Sequence, residues 1–395
     1  MAQIHCHNNK LYIAAGKNIF EFTFTIDKNS SKLKLCRDIL VPFKNAPSTI
    51  QKEDDQILTS ALSVDGTLFA VATTSKQCFL YNVLNDWIEI RPPLQLPKAP
   101  TAVIFEISKK FVILSDRSGN VRRYNLDEKN SKRSNSSGLA DDEENSEGEL
   151  LLGHISMVLD IDISSDQKFL ISVDRDEKIR ISRYPECYVI HRFCLGHSSY
   201  VNSVQSKGTL LFSSGKKFIG GDGTLRVWDM EDGKQIAQCD CLEKKAIRRC
   251  KIFPNSSSKS LLLDFNKQYG YLQVIKLVVI FEHCKTAQIV TFMQESNNFE
   301  IEYLTCSNFI IDITIEDNGI FVFGITRSAV VFGRVGGSYL ESVDDINEYI
   351  INCLGSVKET LLPLEKKIGF NNVEDYKQRK IERIKRKRRK LSGDQ

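Results

Sequence analysis

Long apolar runs are missing from this 395-residue sequence, whose hydrophobic residues make up 42% of the chain. No stretch approaches the roughly 18 consecutive apolar residues that would span a bilayer as a helix, and the longest, such as Leu277 to Phe281, are strand-sized. The first residues, MAQIHCHNNKLYIAAG, lack a basic segment followed by an apolar one, so no signal peptide and an intracellular setting are expected. In that setting the eleven cysteines stay reduced. Cys239 and Cys241 form one C-x-C, with Cys250 and His283 further on, but the second pair that a zinc site needs is absent. They read as small core residues and no metal is expected. Nucleotide and methyl-donor fingerprints are absent too. The glycines at 220–223 and 336–337 are not in G-x-G-x-x-G order between a strand and a helix. Neither a phosphate-binding G-x-x-x-x-G-K-[ST] nor a G-x-S-x-G nucleophile elbow occurs. Asp54-Asp55 and Asp344-Asp345 stand in turn or helix-start contexts, where solvated or capping roles account for them. No cofactor is expected, and the chain reads as a binding scaffold, not an enzyme.

What is present is a repeat. Gly153-His154 and Gly196-His197 stand 43 residues apart, the period of a WD repeat. Each opens the same order of strand, polar turn, strand, Asp-bearing turn and strand, ending in DRDEKIRISRY at 174–184 and GGDGTLRVWD at 220–229. The histidine, a middle-strand Ser or Thr, the turn aspartate and the tryptophan can share one buried hydrogen-bond network. His197, Asp222 and Trp228 fit those posts in one repeat. His154 and Asp176 fit two in the other, where Ser182 replaces the tryptophan. Such a network is stable only when all members are paired. These residues therefore read as structural. Weaker copies lie at 10–26, 57–83, 101–126, 246–278 and 309–335, several with Asp-Gly or Asn-Gly hairpin turns. The pattern predicts an all-β, seven-bladed WD40 β-propeller over residues 1–340, closed when an N-terminal strand completes the last blade.

Charge is unevenly placed. The net charge of +4 combines +9 in residues 377–390, KQRKIERIKRKRRK, with −5 over the other 381 residues. Residues 141–149 hold six acids and no base. They end a polar stretch, 127–149, read as a disordered insertion between the third and fourth blades. Residues 215–219, GKKFI, lengthen the middle turn of the fifth blade. After residue 340 the apolar period changes to helical at Ile346, Tyr349, Ile350, Cys353 and Leu354. A second helix is expected from about Val373 to Lys390, so 341–395 reads as a helical, basic extension. Its run Lys385, Arg386, Lys387, Arg388, Arg389, Lys390 suits a nuclear-import signal, hence a nuclear location, and is compatible with contact to a phosphate backbone.

The run LLGHISMVLDIDIS, DRDEKIRISRYP and IHRFCLGHSSYVNSV, within 150–204, resembles the WD-repeat non-catalytic subunit of the eukaryotic tRNA (guanine-N7-)-methyltransferase. In that family a G-H-x-S-M opening, a D-R-D-E-K-I-R turn and an F-C-L-G-H hinge come in this order. The resemblance implies a heterodimer. The partner is a catalytic subunit that holds S-adenosylmethionine and methylates a guanine in the tRNA variable loop; this chain supports its active state. It also implies that bases of the D-R-D-E-K-I-R turn, here Arg175, Lys178 and Arg180, pair with acids of that partner. Arg180 is favoured for a buried pair because a guanidinium presents a planar fork to a carboxylate. The alternative is a general nuclear WD scaffold in ribosome biogenesis or chromatin assembly, which has no reason to carry the combined run at 153–197.

Overall fold

Period-two alternation over short segments produces antiparallel meanders in the computed structural model. It describes residues 2–27, 30–42, 55–127, 148–215, 222–242, 245–254, 274–343, 346–356 and seven positions between 374 and 384. The first sheet runs β1 (Gln3–His7), β2 (Lys10–Ala15), β3 (Asn18–Asp27), β4 (Ser30–Leu40). The second has β5 (Ile57–Leu62), β6 (Leu68–Thr73) and β7 (Gln77–Asn82), with the short β8 (Ile88–Glu89) and β9 (Leu94–Gln95) both on β7. The third is β10 (Pro100–Phe105), β11 (Phe111–Asp116), β12 (Asn120–Asn125), β13 (Glu149–Gly153). The fourth is β14 (Val158–Ile163), β15 (Phe169–Asp174), β16 (Ile179–Arg183), β17 (Ile190–Cys194), and the fifth β18 (Val201–Lys207), β19 (Leu210–Gly215), β20 (Thr224–Asp229), β21 (Gln235–Asp240). Two further meanders follow: β22 (Ile247–Ile252), β23 (Val274–Phe281), β24 (Thr286–Met293), β25 (Asn298–Cys306), then β26 (Asp312–Ile315), β27 (Phe321–Ile325), β28 (Val330–Arg334), β29 (Tyr339–Ser342). A short parallel pairing of β25 with β29 joins these two, which are the sixth and last sheets below.

The first strand of each sheet packs against the first strand of the next, and β26 packs against β1, so the order closes into a circle. These inner strands do not share a backbone ladder; side chains bridge them. Gln3 Oε1 accepts from Ser60 Oγ at 2.9 Å, Asp160 from the Val204 amide at 3.1 Å, and Asp162 from the Ser206 amide at 2.6 Å. Gln205 accepts from the Ile252 amide at 2.5 Å and Asp312 from the Ile4 amide at 3.0 Å. A bulge recurs at the same place in five inner strands, between Ile57/Thr59, Pro100/Ala102, Val158/Asp160, Val201/Ser203 and Ile247/Arg249. A bulge re-aims the side chains that follow it. In β14 and β22 it sits directly before Asp160 and Arg249.

Two expectations change. No N-terminal strand completes the last sheet: β1 to β4 make a full sheet of their own, and β26 to β29 are all C-terminal. The seam is instead packed by side chains. Ile4, Phe22 and Phe24 of the first sheet share a core with Phe323 and Ile325 of the last and with Ile350 and Leu354 of helix α1 (Glu348–Gly355). The polar insertion lies inside the third sheet, between β12 and β13, because β13 is needed as that sheet's fourth strand; Glu149 opens it and pairs with Arg123 at 2.6 Å. The bulk of the insertion, 128–147, lies outside the described residues, as do most of GKKFI and the basic run at 385–390. Described positions between 374 and 384 are helical.

Candidate partner-binding face

At the end of the fifth sheet where β19 turns into β20, His197 Nδ1 meets Asp222 at 2.6 Å and Nε2 meets Ser213 Oγ at 2.7 Å. The Trp228 indole donates to the same Ser213 oxygen at 2.7 Å. One assignment satisfies all of them: Ser213 accepts from Trp228 and donates to Nε2, while Nδ1–H donates to the carboxylate. That histidine is neutral, and burial lowers its pKa. Burial opposes ionisation of Asp222, but bonds from His197, Thr224 and the Ser198 amide outweigh it and hold the carboxyl well below its ordinary range. His197, Asp222 and Trp228 thus occupy their expected posts, and Ser213 is the middle-strand hydroxyl.

The fourth sheet corrects one residue. His154 meets Ser172 at 2.7 Å and Asp174, not Asp176, at 3.0 Å. Counting back from Ser182 as from Trp228 points to Asp176. Here, however, β15 runs on to Asp174, which places that carboxylate beside His154. The other Asp174 oxygen caps the turn, accepting from the amides of Asp176 at 2.9 Å and Lys178 at 3.0 Å. Asp116 does the same in the third sheet, accepting from Ser118 at 2.7 Å and Asn120 at 3.1 Å. The two turns, DRSGNVR at 116–122 and DRDEKIR at 174–180, are variants of one device.

Within that device the two arginines have different work. Arg180 is only 8% exposed. Its Nε donates to Ser182 Oγ at 2.8 Å, Nη2 to the Cys187 carbonyl at 2.7 Å and Nη1 to the Gly153 carbonyl at 3.3 Å. Its counterpart Arg122 is also buried and donates to the Gly148 carbonyl at 2.9 Å. Arg180 therefore ties β16 to the chain on either side of it. Its fork serves the protein's own carbonyls and not an outward carboxylate. Arg175 is half-buried and Lys178 is exposed at the turn.

The sequence reading missed the axial groups. Asp160 and Asp162 alternate with Leu159, Ile161 and Ile163 along β14, a period-two signal for one polar face. Burial pushes Asp160 up to about 6 and Asp162 up to about 7. Across the axis Arg249 and Lys251 each lie 3.6 Å from Asp312, and burial draws Lys251 down to about 8. Cys239, Cys241 and Cys250 sit in an apolar core with Leu225, Ile247 and Val279. Among the described residues no three metal-ligand side chains converge.

Comparison with known proteins places the chain in a family. Residues 122–328 match the tRNA methyltransferase TRM82 WD40 domain. The chain is 31% identical over 338 residues to the tRNA (guanine-N(7)-)-methyltransferase non-catalytic subunit of Caenorhabditis elegans, covering 83% of this chain and 76% of that one. It is 29% identical over 300 residues to the non-catalytic subunit WDR4 of Mus musculus, covering 73% and 65%. With the non-catalytic subunit wuho of Aedes aegypti it is 32% identical over 190 residues, 46% of this chain but only 43% of that relative's length. A chain in a crystal structure of a mitotic checkpoint complex superposes with a TM-score of 0.59 at 13% identity, over 85% of this chain and 89% of that one, a likeness of fold alone. The chain belongs to the WD40 family of non-catalytic subunits of the tRNA (guanine-N7-)-methyltransferase.

Proposed function

We propose that this chain is a closed ring of seven blades that binds and stabilises the catalytic subunit of a tRNA (guanine-N7-)-methyltransferase as a heterodimer. In this reading it supports N7-methylguanosine formation in the tRNA variable loop without touching the methyl donor. The observation that carries the reading is the DRDEKIR turn: Asp174 caps it, Arg180 anchors it from beneath, and half-buried Arg175 and exposed Lys178 stand where acids of the partner would meet them. Loss of one member of a desolvated interface pair costs on the order of 2–5 kcal/mol. The basic segment beyond α1 directs nuclear import in this proposal, through Lys385 to Lys390. The test is titration of purified catalytic subunit with the wild-type chain, the Arg175→Glu/Lys178→Glu variant and a chain lacking 377–395. The reading expects tight capture by wild type, a loss of at least tenfold for the turn variant, and no effect of the tail deletion on capture. Absence of capture by wild type rejects it.

A further inference from the structure

An outer strand has one free edge, and polar residues normally face the water there. Strand β21 of the fifth sheet follows that rule: it exposes Gln235, Gln238 and Asp240 and buries Ala237 and Cys239. Strand β17 of the fourth sheet departs from it. Ile190 is 44% exposed and Phe193 41%, and Leu195, the residue that follows the strand, is 67% exposed. The register sets them together. Phe193 lies opposite Arg180 and Ile190 opposite Ser182, and directly opposed residues share one face of a sheet. That face is turned to the third sheet, because Arg180 donates to the Gly153 carbonyl at the end of β13.

The row continues to the Asp174–Lys178 turn. Cys194 lies opposite Ile179, so one step further along the register Leu195 stands beside exposed Lys178. Ile155, 59% exposed, comes two residues after Gly153 and directly after His154, whose ring is bonded to Asp174 at the base of the same turn. Ile155 and Leu195 therefore both border the turn, and Phe193 and Ile190 carry the apolar surface down the outer edge. Apolar residues exposed singly are ordinary, but a contiguous set marks a contact site. Charges edge this set without dominating it. Lys178 shares its turn with half-buried Asp176 and Glu177, and exposed Arg183 and Glu186 lie beyond Ile190. An apolar centre with a mixed polar rim is the make-up of a protein interface. A phosphate backbone needs a row of cations instead.

We propose that Ile155, Ile190, Phe193 and Leu195 form the apolar centre of the interface with the catalytic subunit, with Lys178 at its rim. The proposal rests on the proposed function for the identity of that partner. Exposed ion pairs are worth little in water, so bases on a turn do not hold a subunit by themselves. A stable pair needs roughly 800 Å² of contact from each partner, with a dry centre inside a ring of weaker contacts. These four residues are continuous with the turn and supply that centre. The partner's matching surface is accordingly apolar, with an acid placed to meet Lys178.

The test titrates purified catalytic subunit with the full-length chain and reads affinity at about 50 and about 500 mM salt. Ile155→Ala/Leu195→Ala and Ile155→Asp/Leu195→Asp are compared with Val64→Asp/Leu84→Asp. Val64 and Leu84 are 77% and 74% exposed in turns at the opposite end of the second sheet, and their variant changes net charge as the first aspartate pair does. Thermal melts check folding, and sedimentation reads the state of the chain alone. The proposal expects the alanine pair to lose roughly tenfold or more in affinity. That loss persists at high salt, because apolar contact is not screened as charge is. The first aspartate pair loses more, the control stays within about twofold, and the wild-type chain alone is monomeric. Equal losses for patch and control, wild-type affinity for the patch variants, or a loss that vanishes at high salt overturns it. A wild-type dimer that the alanine pair dissolves also overturns it, since a second copy then covers the patch. Failure of the proposed function reads differently: the wild-type chain itself captures no catalytic subunit, which removes the proposed occupant as well.

Discussion

Replacing Arg180 with leucine removes three donor bonds at once. The Gly153 carbonyl belongs to an exposed residue and can take water instead, but the Ser182 hydroxyl is fully buried and so is Cys187. A buried acceptor left unpaired costs about 1–3 kcal/mol. Two of them, less about 1 kcal/mol recovered by the apolar leucine, give a net loss of about 1–5 kcal/mol. Unfolding entropy of roughly 2.1 cal/mol/K per residue makes 1 kcal/mol worth about 1.5 °C in a ring of this size that melts as a unit. The expected result is a melting point lower by about 2–7 °C. Binding of the catalytic subunit, measured at a temperature where the variant is folded, stays within about threefold. Arg180→Lys keeps the charge but cannot span three acceptors, so it should recover less than half of the loss. A melting point unchanged to within a degree, with partner affinity down tenfold, would refute the internal role and return Arg180 to the interface.

Ser213→Ala strips a partner from both His197 and Trp228 and should cost about 2–3 kcal/mol in denaturant unfolding. Ser172→Ala, whose oxygen serves His154 alone, should cost about half as much; equal costs would dissolve the network assignment. Asp162, held up at about 7 by burial, keeps its proton in the folded chain where the unfolded chain has lost it. Its contribution is therefore full below about pH 4 and declines as pH rises to about 7. Three units would be about 4 kcal/mol, but partial exposure of Asp162 to axial water reduces this to about 1–2 kcal/mol. Asp162→Asn should accordingly flatten the fall in stability between about pH 4 and 7, and parallel pH profiles would count against it. Leu354→Ala should destabilise the ring by about 2–4 kcal/mol and speed hydrogen exchange first in β1 and β26 at the seam; loss confined to α1 would show that the helix is an appendage.

Sequence reading works where one residue type has one local job. The Gly-His dipeptides, the Asp-Gly turns and the tryptophan declare a repeat because each is tied to a strand end or a tight turn. His197, Asp222 and Trp228 could be placed by counting for that reason. Counting failed at Asp176 because its sheet lacks the tryptophan and its second strand runs on to Asp174. The histidine takes whichever carboxylate β15 delivers, and spacing from Ser182 cannot tell two aspartates apart. Arg180 failed for a related reason. An arginine beside alternating acids looks like surface charge, and only the neighbouring carbonyls of Gly153 and Cys187 reveal its internal bonds.

The axial lattice was illegible for a deeper reason. Asp160 bonds to Val204 and Asp162 to Ser206, across sheets, and neither partner is polar in sequence at the atom that matters, since both are backbone amides. Inner strands that fan out around an axis cannot reach each other's backbone. Each amide facing the gap needs an acceptor, and a short polar side chain placed after a bulge supplies one. The same reasoning explains why closure needs no shared sheet at the seam. Asp312 holds the Ile4 amide as Asp160 holds Val204, so the last inner strand meets the first by the contact used elsewhere in the ring. What distinguishes the seam is outside the lattice, in the apolar cover from α1.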